Sequence, residues 1–311
     1  MDMVIYEIAS RRFSAMTTKV KSEYGTFRDS MRAPIHRWFT YPAGYSHKFV
    51  EAKIGEYGLT DGSTIADPFL GTGTTSVTAK MLGINSVGIE AHSFVHWVAK
   101  TKMFLHYDIA ELIDGIDEVA AQSQVVSDEL GWQDMWPPLV YKCFTDDNLR
   151  QLAGLRYAID NFGGEPHVRD FLKLALTSTL RIVTTAGSGW PYIAPSKYQS
   201  KKTSRQALKE FKVRCQLMVA DIQQVQALGL PYSSHDVLLG DARKMDSYVP
   251  EETIDLIVTS PPYLNNYDYA DRTMLETYFW GIYESWADIT REVRDHLVIA
   301  ATTQVRMSSM N

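Results

Sequence analysis

Two periods of apolar and polar residues organise this chain. Residues 63–66, 86–89, 236–239 and 253–258 are short, mostly apolar runs bounded by turn residues, and such runs read as buried strands. Residues 110–129, 146–160, 167–183 and 203–228 carry apolar side chains at helical spacing. A shorter helix is expected through Phe49, Val50 and Ile54, and another beyond Thr75 with Val77, Met81 and Leu82 on its apolar side. The first strand opens into Asp67-Pro68-Phe69-Leu70-Gly71-Thr72-Gly73-Thr74-Thr75, and the second ends at Glu90. Strand, glycine-rich turn, helix, strand is half of a doubly wound α/β sheet. The simplest architecture is one α/β domain from residues 35–100 and 231–311. A helical insertion of roughly 130 residues separates its second and third strands, and one so long needs packed helices of its own.

The last predicted strand ends in Thr259-Ser260-Pro261-Pro262-Tyr263. Neither proline can donate to a ladder and both fix φ, so a stiff loop forms at the carboxyl end of the strand. It offers backbone carbonyls, the Ser260 hydroxyl and an aromatic face, a set suited to a planar ring bearing an amino group. The alternative is a purely structural Pro-Pro turn, which is how Pro137-Pro138 reads.

Size and charge narrow the classes. With 311 residues, 45% hydrophobic and 22% charged, the chain suits one large globular domain or two small ones. No apolar run approaches the ~18 residues of a transmembrane helix. The first thirty residues lack a signal-peptide pattern. Cys143 and Cys215 are far apart, with no CxxC spacing, so neither a disulfide scaffold nor a metal site is supported. A cytoplasmic protein with no membrane partner is expected. The net charge of −6 weighs mildly against nucleic acid, but a local basic face can dominate. Lys197, Lys201, Lys202, Arg205, Lys209, Lys212 and Arg214 stand against a single Glu210. That stretch is either a solvated helix face or a phosphate-contacting surface.

In the glycine-rich turn, Gly71 and Gly73 allow a tight bend and close backbone approach to a ligand. Glu90, 23 residues after Asp67, is placed to accept from a ribose diol. A carboxylate at the mouth of the turn, Asp67, repels a phosphate and attracts an ammonium group. S-adenosyl-L-methionine has an ammonium and no phosphate, so it is expected here rather than NAD; a plain connecting turn is the bland alternative. Asp241 ends the third strand. With Asp67, Glu90 and Ser260 it is expected at the carboxyl ends of parallel strands, where open α/β sheets bind ligands.

An exocyclic base amine is a poor nucleophile because its lone pair is delocalised into the ring. Acceptors on its two N–H groups localise that pair, and the Ser260 side chain and the Pro261 carbonyl are candidates, with Tyr263 stacking on the ring. Neither cysteine follows a proline in a strand-end loop, so thiolate attack on a ring carbon is disfavoured.

These motifs together resemble those of the S-adenosylmethionine-dependent DNA amino-methyltransferases of the cytosine-N4 and adenine-N6 type. The resemblance covers the α/β portion and implies a Rossmann-like methyltransferase sheet. It implies cofactor contacts from Ala43, Gly44, Asp67, Phe69, Gly71, Gly73, Thr74, Glu90, Asp241 and Ala242. Ser260, Pro261, Pro262 and Tyr263 match the catalytic tetrapeptide, and Ser in its first place is similar to the cytosine-N4 subgroup. By analogy residues 1–100 form the N-terminal segment and cofactor half, 101–230 a target-recognition insertion, and 231–311 the catalytic half. Lys197, Lys201, Lys202 and Arg205 then contact DNA, with the target base flipped out, in a restriction–modification or phage-defence setting. Methylation of RNA, or a non-catalytic nucleic-acid-binding subunit on the same fold, are the alternatives. The family's sheet continues for two strands after this loop. The 48 residues beyond Tyr263 leave room for a helix over 270–289 and one strand over 296–302. An open edge would result, to be completed by another chain, a second copy or a further C-terminal piece.

Overall fold

The computed structural model describes residues 25–41, 44–188, 193–198, 205–262 and 268–298. A 3-10 turn at His36–Trp38 leads to α1 (His47–Glu56), then β1 (Thr64–Asp67), α2 (Thr74–Met81), β2 (Asn85–Glu90) and α3 (Ser93–Met103). Next come α4 (Ile109–Val126), α5 (Pro138–Tyr141), α6 (Asp146–Asp160) and α7 (Pro166–Val183), a hairpin of β3 (Ala186–Ser188) and β4 (Ile193–Tyr198), and α8 (Ala207–Ala227). The chain then adds β5 (His235–Leu239) and β6 (Leu256–Ile257), followed by α9 (Met274–Phe279) and α10 (Trp286–Glu292).

Four strands form a parallel sheet in the order β5-β2-β1-β6, with Ala66 opposite Val87 on one side and Ile257 on the other. This is an α/β fold of the Rossmann-like methyltransferase kind, and its strand order reverses between β1 and β6. The carboxyl ends of those two strands are where open α/β sheets hold ligands.

Local chemistry sets the helix starts. Asp108 caps α4 by accepting from the amides of Ala110 and Glu111, Thr145 caps α6 through the amide of Asn148, and Pro166 occupies the first turn of α7. Helices α4, α6, α7 and α8 pack on one another. A small core of Val50, Ile54, Ile65, Ala79, Ile84 and Val258 lies between α1, α2 and the sheet. The larger core is continuous: it runs from Ile35 and Trp38 through Phe94 and Val98, into Leu152, Phe171 and Phe211, and on to Leu275 and Phe279. The helices between β2 and β5 therefore share one apolar interior with the segment before β1 and with the helices after β6.

Several sequence expectations are corrected. The single helix over 270–289 is broken: a 3-10 turn at Asp271–Thr273 leads into α9, and Gly281 at φ +65° ends that stretch. Ser285 and Asp288 then start α10 with a reciprocal capping box. A continuous helix would put Ile282 and Trp286 on one apolar side with Tyr278 and Phe279, but they are 38% and 47% exposed. The run 253–258 contributes only Leu256–Ile257 to the ladder. The β3–β4 hairpin, with Gly187 and Ser188 in β3, and α3 had no sequence expectation. The strand over 296–302 does not begin as expected, since His296 closes a 3-10 turn at Arg294–His296; its remainder lies outside the described residues from 299 onward.

Candidate functional site

The ends of β1 and β6 are joined by a buried carboxylate. Asp67 is 1% exposed. Its Oδ1 accepts from the Phe69 amide (3.1 Å) and the Thr259 hydroxyl (2.7 Å), and its Oδ2 from the hydroxyls of Tyr45 (2.9 Å) and Thr75 (2.6 Å). Four donors fill the acceptor sites of a carboxylate. The expected meeting of Asp67 with a ligand ammonium is thus corrected: desolvation raises its pKa, the buried oxygens demand protein donors, and the residue braces the turn. Gly73, at φ +89°, starts α2 and packs against Ala99, and like Asp67 it stands behind the site.

In front of this brace lies a cleft that, counted with the solvent space it opens into, holds about 800 Å³. Residues expected at a cofactor line it: Phe69, Gly71 and Thr74 from the β1 turn, Glu90 from β2, Asp241 and Ala242 after β5, and Gly44 from the segment before α1. Ser260 and Pro262 line the same cavity, so the two ends of the expected site meet. Pro261 is exposed and not among the lining residues. Ala43 and Tyr263 lie outside the described residues.

Glu90 holds the turn and faces the cavity at once. Its Oε2 accepts from the Gly71 amide at 2.9 Å and its Oε1 from the His92 amide at 2.8 Å. Burial pushes its carboxyl up to about 7. Asp241 accepts from the backbone and guanidinium of Arg243, which lowers its pKa. With the Gly71 amide already donated to Glu90, and a second acid beside it, the turn offers poor ground for a phosphate. A phosphate-free ligand bearing hydroxyls fits these groups better.

The near wall is a strap that sequence reasoning placed but whose anchor it missed. Ile35 is a β-branched residue at φ +63°, a strained conformation. The fully buried Asp221 of α8 fixes it, accepting from the Ile35 amide (3.1 Å), the Trp38 indole (3.0 Å) and the Arg37 guanidinium. Lys102 donates to the carbonyls of His36 and Phe39, and burial brings its ammonium down to about 7. Beyond these anchors Tyr41 and Tyr45 reach the cavity. His92 and His296 also line it and carried no sequence signal, being isolated residues outside any motif; Tyr269, from the loop that continues the Ser260–Tyr263 motif, lines it too.

The basic stretch is split by the fold. Lys197 on β4 and Arg205 before α8 are exposed, whereas Arg214 turns inward and donates to the Arg37 carbonyl. Lys209 and Lys212 border an open polar groove with Arg150. Lys201 and Lys202 lie outside the described residues. No helix among the described residues is long and apolar enough to cross a membrane.

Sequence comparison agrees with this geometry. Residues 12–101 match a family of N6/N4 type described as DNA methylase. The chain is 28% identical over 284 residues to the Type II methyltransferase M.BsoBI of Geobacillus stearothermophilus, covering 83% of this chain and 55% of that protein. It is 22% identical over 282 residues to the Type II methyltransferase M.AvaI of Nostoc sp., covering 83% and 56%. A shorter match, 35% over 91 residues, is to the Type II methyltransferase M.MjaII of Methanocaldococcus jannaschii, covering 28% and 17%. The chain spans about half the length of the first two relatives. Together the matches relate it to the amino-methyltransferases of the N4/N6 class.

Proposed function

We propose, from this kinship with the N4/N6 amino-methyltransferases, that the chain transfers a methyl group from S-adenosyl-L-methionine to an exocyclic amine of a DNA base. Cytosine N4 is favoured over adenine N6, and a restriction–modification or phage-defence role follows from the relatives' Type II names. The observation that carries the reading is the shared cavity: Gly71 and Glu90 at one end, Ser260 and Pro262 at the other.

When bound, the cofactor supplies an electrophilic methyl on a sulfonium. The chain supplies position. Glu90 would accept from the sugar hydroxyls and Asp241 and Ala242 would hold the adenine end, while the brace through Asp67 keeps the β1 and β6 loops in register. Ser260 and the Pro261 carbonyl accept from the target amine, and Tyr263 stacks on its ring. A paired base cannot enter such a cavity, so it is flipped out or arrives single-stranded. Lys197, Lys201, Lys202 and Arg205 hold phosphates.

Nucleoside mass spectrometry of DNA incubated with the protein and S-adenosylmethionine tests this. N4-methylcytosine is the expected product. N6-methyladenine would move the target to the other base, and methylation of RNA alone would overturn the DNA reading. Tight S-adenosylhomocysteine binding without transfer to either polymer would leave a non-catalytic binding subunit.

A further inference from the structure

We propose that His92 is a further ligand-binding residue, its Nδ1 accepting a hydrogen bond from a sugar hydroxyl of the nucleoside held beside Glu90. The inference rests on the cofactor reading above and deepens it.

His92 is 1% exposed and lines the cavity. Its own amide donates to Glu90 Oε1, so the ring is tethered two residues from the acid. Its Nε2 lies 2.7 Å from the Thr273 hydroxyl oxygen. That hydroxyl has one proton and two acceptors within reach, His92 Nε2 and the Ala270 carbonyl at 3.1 Å. The proton is assigned to the Ala270 carbonyl, so that Thr273 accepts from His92; this is the Nε2–H tautomer, with a lone pair on Nδ1. Burial drives the imidazole down to about 3, so it stays neutral across the working range despite the nearby Asp268. Phe94 and Tyr283 flank the ring, at 6.2 and 6.4 Å between centroids.

Nδ1 has no hydrogen-bond partner among the described residues. A buried acceptor left unpaired is costly, and a ligand donor removes that cost. On the cofactor reading, the ligand groups that would meet Glu90 are hydroxyls, each carrying a proton. Two adjacent hydroxyls need two acceptors, and Glu90 already spends one lone pair of each oxygen on a backbone amide. His92 lines the same cavity, and its unpartnered Nδ1 is a neutral acceptor there.

The test labels histidine with nitrogen-15 and titrates the protein with S-adenosylhomocysteine. The free protein should show His92 as the Nε2–H tautomer, and its Nδ1 resonance should shift on binding as the lone pair accepts a proton donor. His92→Gln keeps a donor toward Thr273 but places no acceptor at the Nδ1 position. It should bind S-adenosylhomocysteine roughly three- to tenfold more weakly, the range of one neutral hydrogen bond. It should also lose the wild-type preference over the 2′-deoxy or the 3′-deoxy analogue. Binding with an unmoved Nδ1 resonance, or an equal loss for all three ligands, overturns the His92 assignment alone. A wild-type protein that does not bind S-adenosylhomocysteine overturns the cofactor reading and this inference with it.

Discussion

The Thr259 hydroxyl donates to Asp67 Oδ1 across 2.7 Å, tying the loop after β6 to the turn after β1. Two segments 192 residues apart are thereby set against one cavity. Thr259→Val removes one donor from a buried carboxylate without changing side-chain shape much. A loss of about 1.5–3 kcal/mol is expected, as for hydrogen bonds to charged groups, read as a lower urea midpoint at unchanged slope. S-adenosylhomocysteine affinity should fall with it, because the turn carrying Gly71 loosens. Unchanged stability would show that the brace is idle.

Glu90 gives the site a pH dependence. Its carboxyl is raised to about 7 in the fold against 4.5 unperturbed. Between those values the folded state holds the extra proton, so this group's contribution to stability falls as pH rises from about 4.5 to about 7. Ligand hydroxyls donate to the ionised form, so affinity runs the opposite way, rising as pH passes through about 7. Calorimetric titration of S-adenosylhomocysteine across that window should show the rise in the wild type. Glu90→Gln should bind weakly with a flat profile.

How far this was legible in the sequence depends on range. Strand-ending motifs are local, so residues 67–75, Glu90, Asp241 and Ser260 announced themselves, and parallel topology brought most of them to one cavity. Asp67 was found but its use was not, because the partners that fill it, Tyr45, Thr75 and Thr259, converge only in three dimensions. The same holds for His92, whose meaning depends on Thr273 far along the chain. The helix over 270–289 failed for a local reason that periodicity hides: Gly281 and the Ser285–Asp288 box override a continuous apolar stripe. The β3–β4 hairpin escaped because Gly187 and Ser188 look like turn residues.

The strap before β1 depends on Asp221. Asp221→Ala orphans the Ile35 amide and the Trp38 indole in a buried setting and frees Arg37, whose side chain is 28% exposed and can rehydrate. A cost of about 2–5 kcal/mol is expected from the two buried donors left without an acceptor. Ile35 then has less to hold it at positive φ, and Tyr41 should lose its fixed place at the cavity. Denaturant unfolding reads the first effect. Faster proteolysis before residue 47, suppressed by S-adenosylhomocysteine, reads the second.

Lys197, on β4, and Arg205, before α8, are both exposed. If each meets one phosphate, replacing either by Ala should weaken DNA binding evenly across sequences. The slope of log affinity against log salt should drop by about 1 per contact. Arg214→Ala is the control: its guanidinium serves the Arg37 carbonyl, so the slope should not change. Equal slopes for all three variants would move the DNA to another face.

Ser260 separates binding from chemistry. It sits at the edge of the cavity on a loop stiffened by Pro261 and Pro262, so removing its hydroxyl should not disturb the turn. The amine of cytosine shares its lone pair with the ring, and an acceptor on one N–H draws that pair back to nitrogen as the methyl approaches. This help is larger in the transition state than in the ground state, so its loss falls on turnover rather than affinity. Ser260→Ala should cut single-turnover methyl transfer on the order of 10²-fold, the scale of one preorganised polar contact. S-adenosylhomocysteine affinity should stay as it was, because Glu90 and Asp241 carry that end. Ser260→Thr, which keeps the hydroxyl, should recover part of the rate. A Ser260→Ala protein with full turnover would leave the Pro261 carbonyl as the working acceptor, and a fall in cofactor affinity alone would place Ser260 on the wrong ligand.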